Sequence, residues 1–352
     1  SDHKAQSYGF AYYYGGVSLN FDVERAQPIS AAVEKAILHS SNVLIMGHKY
    51  SDSDSLGAAV GMLKFCKDLG KSAKIVISVK TSLATLLVNH LKKNDLGGEL
   101  VSVEEGKKLV KSNTLLIIVD THRAPFFESR EIYESVRDVI VIDHHEKSSD
   151  CVEDAHVFYQ DSSASSASEM VTQLIYCNEK INLTPVYANA LLSGIMLDTR
   201  DFMLRTTPLT FECAAYLRSS GADIAAVKQF FNNSLKNKKL KGKIVVAAYE
   251  YENCAISVAK VKSDNIRIIC SQAADELLMV SDVVASFVLF ETDNTVNISA
   301  RSNGEVNVRL IMEAFSGGGH MTMAACQLEG ADIEQVRLEL ERKLDEYFAN
   351  NK

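Results

Sequence analysis

The chain has 352 residues, 47% of them hydrophobic, and a formal net charge of -8, so its length and apolar content predict two compact domains rather than one core. The acidic balance argues against a protein that holds long nucleic acid through its phosphates, but not against a small anionic ligand in a local basic site. Seven cysteines without CxxC spacing exclude a disulfide framework and a zinc knuckle, and no apolar run approaches the roughly 18 residues of a membrane span, so we expect a cytoplasmic protein with no membrane contact by this part of the chain.

The first 30 residues carry no clear periodic pattern. The chain begins with Ser1, and an aromatic segment, YGFAYYYGG, occupies residues 8–16. We interpret residues 1–30 as the remainder of a connection to an upstream region, and we expect the chain to be part of a longer protein.

Residues 31–231 alternate short apolar runs with amphipathic stretches, which is the pattern of strands and crossover helices in a parallel sheet. The predicted strands are 43–46, 73–79, 114–119 and 138–142. The predicted helices are 56–69, 166–177, 185–197 and 210–219. The sequence therefore predicts an α/β domain here.

A polar, lysine-dense segment at 232–243 predicts a linker or an exposed helix end. Beyond it, strands are predicted at 244–249, 255–260, 283–290 and 296–301, and helices at 267–278, 307–314 and 333–348. Residues 244–352 thus predict a smaller α+β domain, and we expect the active site in the cleft between the two domains.

Side chains typical of metal ligands lie in four clusters, three of them directly after predicted strands and one at the end of a predicted helix. They are His48, Asp52 and Asp54; Asp120 and His122; Asp143, His144 and His145; and Asp198. Each cluster alone is explained as well by helix capping or polar packing. Strand ends of an open parallel sheet converge on one crevice, however, and carboxylates gathered there repel one another unless cations offset them. Mixed imidazole and carboxylate ligands favour manganese, iron or zinc over magnesium.

The motifs HKYSDSD, DTH, DHH and LDT resemble, in order, those of the DHH phosphoesterase family. SARS at 299–302 and GGGH at 317–320 resemble the associated C-terminal domain of that family, so the resemblance covers about 42–330. Two longer segments, NVLIMGHKYSDSDSLGAAVG and SARSNGEVNVRLIMEAFSGGGH, are similar to the cyclic-di-AMP phosphodiesterases within it.

The resemblance implies two Mn²⁺ ions that share a hydroxide nucleophile. The ligands it implies are His48, Asp52 and Asp120 for one ion, and Asp54, Asp120, His144 and Asp198 for the other, with Asp120 bridging. We expect Asp120, His144 and His145 to be catalytic, with His145 orienting or neutralising the phosphate. For His122, packing behind the site and catalysis are both open. Because Asp52 and Asp54 are two residues apart in a predicted extended loop, their carboxylates are expected to point the same way.

The second domain is expected to hold the substrate. The residues implied are Arg301, Ser302, Gly317, Gly318, Gly319 and His320, which offer charge and backbone N–H groups to a phosphate. The alternatives are a plain glycine turn and a surface arginine at a strand end. The serines of 162–168 predict a helix cap, with a phosphate at that helix end as the alternative.

The residues themselves predict a metal-assisted phosphoesterase, and the resemblance implies that it hydrolyses cyclic di-AMP to linear pApA. Two alternatives stay open: a DHH hydrolase of short oligonucleotides, pApA or pAp, and a sensor that binds a cyclic dinucleotide without turnover. The resemblance further implies a full-length protein anchored in the membrane with this part in the cytoplasm. A homodimer is one of the assemblies left open.

Overall fold

The computed structural model describes residues 23–147, 150–152, 154–231, 235–263 and 265–350, together with two short strands near the start of the chain. These two strands are β1 (Tyr13–Tyr14) and β2 (Val17–Ser18), which pair with each other. The remainder of the aromatic segment 8–16 lies outside the described residues. The chain divides into two compact units, 1–232 and 233–352.

The first unit contains a six-stranded sheet in which every neighbouring pair of strands is parallel. Its strands are β3 (Asn42–Met46), β4 (Ala73–Val76), β5 (Leu100–Val101), β6 (Thr114–Val119), β7 (Asp138–Asp143) and β8 (Val157–Gln160). Their order in the sheet is β5-β4-β3-β6-β7-β8. All residues of β3 and β6 are buried, as expected for continuous apolar runs covered on both faces. The predicted parallel α/β sheet is confirmed.

Helices complete this unit, and α2 is buried over most of its surface against α6 and α7. The helices are α1 (Val23–His39), α2 (Ser53–Asp68), α3 (Thr85–Lys93), α4 (Val103–Leu109), α5 (Arg130–Ser135), α6 (Ala167–Tyr176), α7 (Pro185–Asp198), α8 (Pro208–Ser219) and α9 (Ile224–Gln229), with 3₁₀ turns at Gly97–Glu99 and Ala124–Phe126. Part of the segment predicted as a connection, residues 23–30, is the first half of α1.

The second unit combines a mixed sheet with helices, as predicted. Its elements are α10 (Leu235–Val246), β9 (Tyr249–Tyr251), β10 (Cys254–Ala259), α11 (Ile266–Leu277), β11 (Ala285–Thr292), β12 (Thr295–Ser302), α12 (Val308–Glu313), β13 (Gly318–Gly319), β14 (Met323–Glu329) and α13 (Ile333–Asn350). The strand order is β13-β14-β12-β11-β10-β9. Among the described residues, none of the helices combines the length and the hydrophobicity that a membrane span requires.

The segment 232–243, predicted as a linker or an exposed helix end, is helical from Leu235 onward. The strand predicted at 244–249 is wrong, because α10 continues through its first three residues to Val246. Of the apolar run in that segment, Ile244 is buried whereas Val246 is 86% exposed. A short apolar run is compatible with either a strand or a helix, and here the helix buries only one side of it.

Candidate metal centre

Three of the four predicted clusters meet at one edge of the parallel sheet. His48 follows β3, Asp120 follows β6 directly, and His144 follows the last residue of β7, and these strands are neighbours. The strand order reverses between β3 and β6, so the side chains lie at a topological switch point, where open α/β sheets place their ligand sites.

Asp120 lies at the centre of the cluster in a left-handed backbone conformation, with φ of 59°. Its N–H donates to the carbonyl of Ile142 at 2.9 Å, which ties the turn to β7. One carboxylate oxygen, Oδ2, lies 3.3 Å from His48 Nε2, and the other, Oδ1, lies 3.3 Å from His144 Nε2. The two oxygens of one carboxylate therefore face two different imidazoles.

The first group of candidate ligands is His48, Asp52 and Asp120, whose ligand atoms lie within 4.8 Å of one another. Asp52 is also the N-cap of α2, because its Oδ1 accepts from the N–H groups of Asp54 and Ser55. The Asp52 side chain thus both caps α2 and belongs to the cluster of candidate ligands. The prediction that Asp52 and Asp54 lie in one extended loop is wrong, because α2 already begins at Ser53.

The second group is Asp54, His144 and Asp198, again with ligand atoms within 4.8 Å of one another. His144 Nε2 lies 3.2 Å from Asp198 Oδ2 and 3.8 Å from Asp54 Oδ2. Asp198 is the last residue of α7, as the sequence predicts. Helix α7 therefore brings a carboxylate from outside the sheet to the strand ends.

Buried polar atoms without partners indicate that this cluster is built for cations. Asp120 Oδ1 and both ring nitrogens of His144 are buried and have no hydrogen-bond partner within the described part of the chain. Leaving such atoms unpaired costs about 1 to 3 kcal/mol each. Imidazole nitrogens and carboxylate oxygens that converge in this way are suitable ligands for divalent transition-metal ions. A bound ion would supply the partner that these atoms lack.

The carboxylates of the cluster perturb one another. Burial and the charges of Asp120 and Asp198 raise the pKa of Asp52 to about 6 and that of Asp54 well above its ordinary value. Burial also disfavours ionised Asp120, but the imidazoles that face it outweigh burial and lower its pKa. Repulsion among the acidic groups is therefore balanced by imidazolium in the metal-free protein.

Metal binding should release protons from this cluster. Burial alone would lower the pKa of each imidazole, yet the carboxylates that face them raise the pKa of His48 to about 10 and that of His144 to about 11. Both rings are thus protonated at pH 7.5 without metal, whereas a ligand must be deprotonated. We expect Mn²⁺ binding to release at least two protons and to tighten as pH rises. Calorimetry in buffers of different ionisation enthalpy measures this number, and a binding enthalpy that is the same in every buffer would contradict it.

Asp143 holds two histidines of the DTH and DHH motifs. Its Oδ2 bonds His122 Nδ1, and its Oδ1 lies 2.8 Å from His145 Nδ1. His122 is buried, whereas the His145 side chain is 54% exposed and its Nδ1 lies 3.7 Å from Asp120 Oδ1. This role of Asp143 was not predicted, because the motif alone does not reveal which side chains its carboxylate contacts.

Two of the predicted substrate residues, Arg301 and Ser302, form hydrogen bonds within the second unit. Arg301 is buried in β12, and its guanidinium donates to Asp275 Oδ1 at 2.7 Å and to Ser271 Oγ. The alternative of a surface arginine is therefore wrong. Ser302 Oγ accepts from the N–H groups of Gly304 and Val306 and so stabilises the turn after β12.

In the GGGH segment, Gly318 and Gly319 form the short strand β13, Gly317 precedes it and His320 follows it. A side chain at Gly319, whose φ is 147°, would lie 2.4 Å from the carbonyl oxygen of Met323. Gly318 is exposed with open space where a side chain would be, and His320 is exposed beside it. The backbone therefore requires glycine at 319, while Gly318 and His320 face solvent within this unit.

Comparisons with known proteins match both units. Residues 42–195 match the family model described as DHH family, N-terminal domain, and residues 252–349 match the DHHA1 domain. The chain is 38% identical to cyclic-di-AMP phosphodiesterase GdpP of Bacillus subtilis (strain 168), over 96% of this chain and 53% of that protein. It is 32% identical to cyclic-di-AMP phosphodiesterase PdeA of Listeria monocytogenes serotype 1/2a (strain 10403S), over 97% of this chain and 54% of that protein.

The fold matches solved structures as well. An exopolyphosphatase-related protein from Bacteroides fragilis superposes with a TM-score of 0.77 at 20% identity, over 92% of this chain and 97% of that one. At this identity the likeness concerns the fold alone. The chain spans about half the length of the curated relatives it matches.

Proposed function

The chain belongs to the DHH family, and from this premise we propose that it is a manganese-dependent phosphodiesterase that hydrolyses cyclic di-AMP to linear pApA. Relatives named cyclic-di-AMP phosphodiesterases, which match nearly the whole chain, support the substrate. The observation on this chain that carries the proposal is the position of Asp120, with one carboxylate oxygen 3.3 Å from His48 and the other 3.3 Å from His144.

We assign one ligand group to each of two cations, and Asp120 to both. His48, Asp52 and Asp120 would hold the first ion, and Asp54, Asp120, His144 and Asp198 the second. This division is supported by two separate contacts, because His48 lies near Asp52 whereas His144 lies near Asp198. Manganese is proposed because two imidazoles join four carboxylates, a mixture that suits it better than magnesium.

When bound, the two cations supply Lewis acidity and lower the pKa of water enough to provide a nucleophile near neutral pH. The chain itself positions the phosphate. Asp143 contacts Nδ1 of His145, so this contact does not involve Nε2 of the ring. Asp143 also raises the pKa of His145, which favours the charged ring. His145 is therefore assigned to neutralise the phosphate and to hold a proton for the leaving oxygen.

In the second unit we assign contact with the substrate to the GGGH segment, principally to Gly318 and His320. Both are exposed, and the backbone N–H groups of a glycine-rich turn suit a phosphate. Arg301 and Ser302 are assigned to support this sheet, because Asp275, Ser271 and the turn after β12 use their polar groups.

The proposal is tested by incubating the purified protein with Mn²⁺ and, separately, with cyclic di-AMP, pApA and pAp, and by following the products by chromatography. We expect cyclic di-AMP to be consumed and pApA to accumulate. Consumption of pApA while cyclic di-AMP stays intact would assign the chain to the short-oligonucleotide hydrolases instead. Binding of cyclic di-AMP without any turnover in Mn²⁺ would indicate a sensor.

The acidic net charge of -8 supports a small nucleotide rather than long nucleic acid as the partner. Membrane anchoring of a full-length protein, with this part in the cytoplasm, stays a prediction from the family resemblance, and a homodimer stays one of the open assemblies.

A further inference from the structure

The N-terminus of α6 binds a carboxylate of the same chain. The N–H groups of Ala167 and Ser168 donate to Asp54 Oδ2 and Oδ1, each at 2.8 Å. The next N–H, that of Glu169, donates to Ser166 Oγ at 3.0 Å. The first three N–H groups of α6, which have no partner inside the helix, are thus all satisfied. The predicted helix cap is present. The carboxylate of Asp54 occupies the position at this helix end where a phosphate was the alternative prediction.

Gly194 of α7 encloses Asp54 from the other side. A Cβ at this position would lie 2.1 Å from Ser168 Oγ and 2.6 Å from Asp54 Oδ1. Helix α7 can therefore pack this closely against the N-terminus of α6 only because residue 194 has no side chain. Asp54 and Ser168 are both fully buried, and Ser168 Oγ also donates to the carbonyl of Asp54 at 3.2 Å.

This enclosure leaves Asp54 one direction in which to bind a cation. Each carboxylate oxygen has two lone pairs, and each already accepts one N–H from α6. The oxygen nearest the rest of the cluster is Oδ2, which lies 3.8 Å from His144 Nε2. The hydrogen bonds therefore fix the carboxylate while leaving lone pairs available for a metal.

We propose that Gly194 and Ser168 are positioning residues for metal binding: together with the α6 N–H groups they hold the Asp54 carboxylate in the orientation that binds the cation shared with His144 and Asp198. The inference rests on the proposed function, since it takes the cluster to be a metal site. Groups that hydrogen-bond a ligating carboxylate typically set metal affinity by about 10- to 100-fold.

A purely structural role would affect stability alone, and Gly61 provides the control that separates the two roles. A Cβ at Gly61 would lie 2.7 Å from Leu191 Cδ2 and 2.7 Å from Val171 Cγ1, so it crowds the same packing of α2 with α6 and α7. None of these atoms belongs to the cluster. Gly61→Ala should therefore reproduce the overpacking without disturbing Asp54.

The test is Mn²⁺ binding to the metal-free protein, measured by isothermal titration calorimetry, together with the melting temperature. We expect Gly194→Ala to weaken Mn²⁺ binding by about 10- to 100-fold. Gly61→Ala should lower the melting temperature and keep the wild-type affinity. The double variant Gly194→Ala with Ser168→Gly removes the 2.1 Å contact and should recover part of the lost stability, yet bind Mn²⁺ weakly, because the 2.6 Å contact with Asp54 Oδ1 remains.

Two outcomes overturn the inference: wild-type affinity in Gly194→Ala, or recovery of both affinity and stability in the double variant. If Gly194→Ala does not fold, the double variant carries the comparison. Failure of the proposed function is distinguishable, because the wild-type protein itself would then bind no Mn²⁺.

Discussion

Replacing Asp120 by Asn should lower the rate of cyclic di-AMP hydrolysis by roughly 10³-fold, which corresponds to about 4 kcal/mol in the activation barrier. One carboxylate oxygen of Asp120 lies 3.3 Å from His48 Nε2, and the other lies 3.3 Å from His144 Nε2. An amide offers only one oxygen and no charge, so the two ions could no longer share this ligand. The measurement is kcat/KM for cyclic di-AMP at saturating Mn²⁺.

Asn is the informative substitution because of the backbone. Asp120 has φ of 59°, a conformation that Asn tolerates but that costs Ala roughly 1 to 2 kcal/mol. Asp95→Asn is a matched control, since Asp95 has φ of 60° and is exposed in a turn away from the cluster. We expect the control to keep full activity. Activity in Asp120→Asn within a few-fold of wild type would refute the bridging role.

Removing the metal should abolish hydrolysis and lower the melting temperature. Asp120 Oδ1 and the ring nitrogens of His144 lack hydrogen-bond partners within the described residues, so a cation that they bind stabilises the folded state. At 100 times its Kd, Mn²⁺ contributes about 2.7 kcal/mol, which corresponds to roughly 5 to 10 °C for a unit of this size. Thermal denaturation with EDTA, and again after Mn²⁺ is restored, measures the shift.

Asp120→Asn also provides the control for this experiment, because a variant with a weakened site should show a smaller shift on adding Mn²⁺. Full hydrolysis in excess EDTA, with an unchanged melting temperature, would exclude a metal-dependent mechanism.

The central sheet was predictable because its strands are almost wholly apolar. Strands β3, β6 and β7 are continuous hydrophobic runs that lie within one or two residues of their predicted limits. The missed strands were β5, which has two residues, and β8, which is largely half-buried and carries a weaker pattern. The pattern thus identifies strands that are covered on both faces better than strands at an edge.

The convergence of His48, Asp120 and His144 was predictable for the same reason, because each follows one of those strands and parallel strand ends meet at one edge. The enclosure of Asp54 was not, since it joins residues more than a hundred positions apart in the chain. The same holds for Arg301, whose partner Asp275 lies on a different element. Contacts of this kind depend on tertiary packing and leave no local pattern.

The most direct test of the account is an anomalous difference map at the manganese edge from crystals grown with Mn²⁺. We expect two peaks about 3.5 to 4 Å apart, one beside His48 and Asp52, the other beside Asp54, His144 and Asp198, with Asp120 between them. Peaks elsewhere, or no peak at this cluster, would contradict the two-metal assignment.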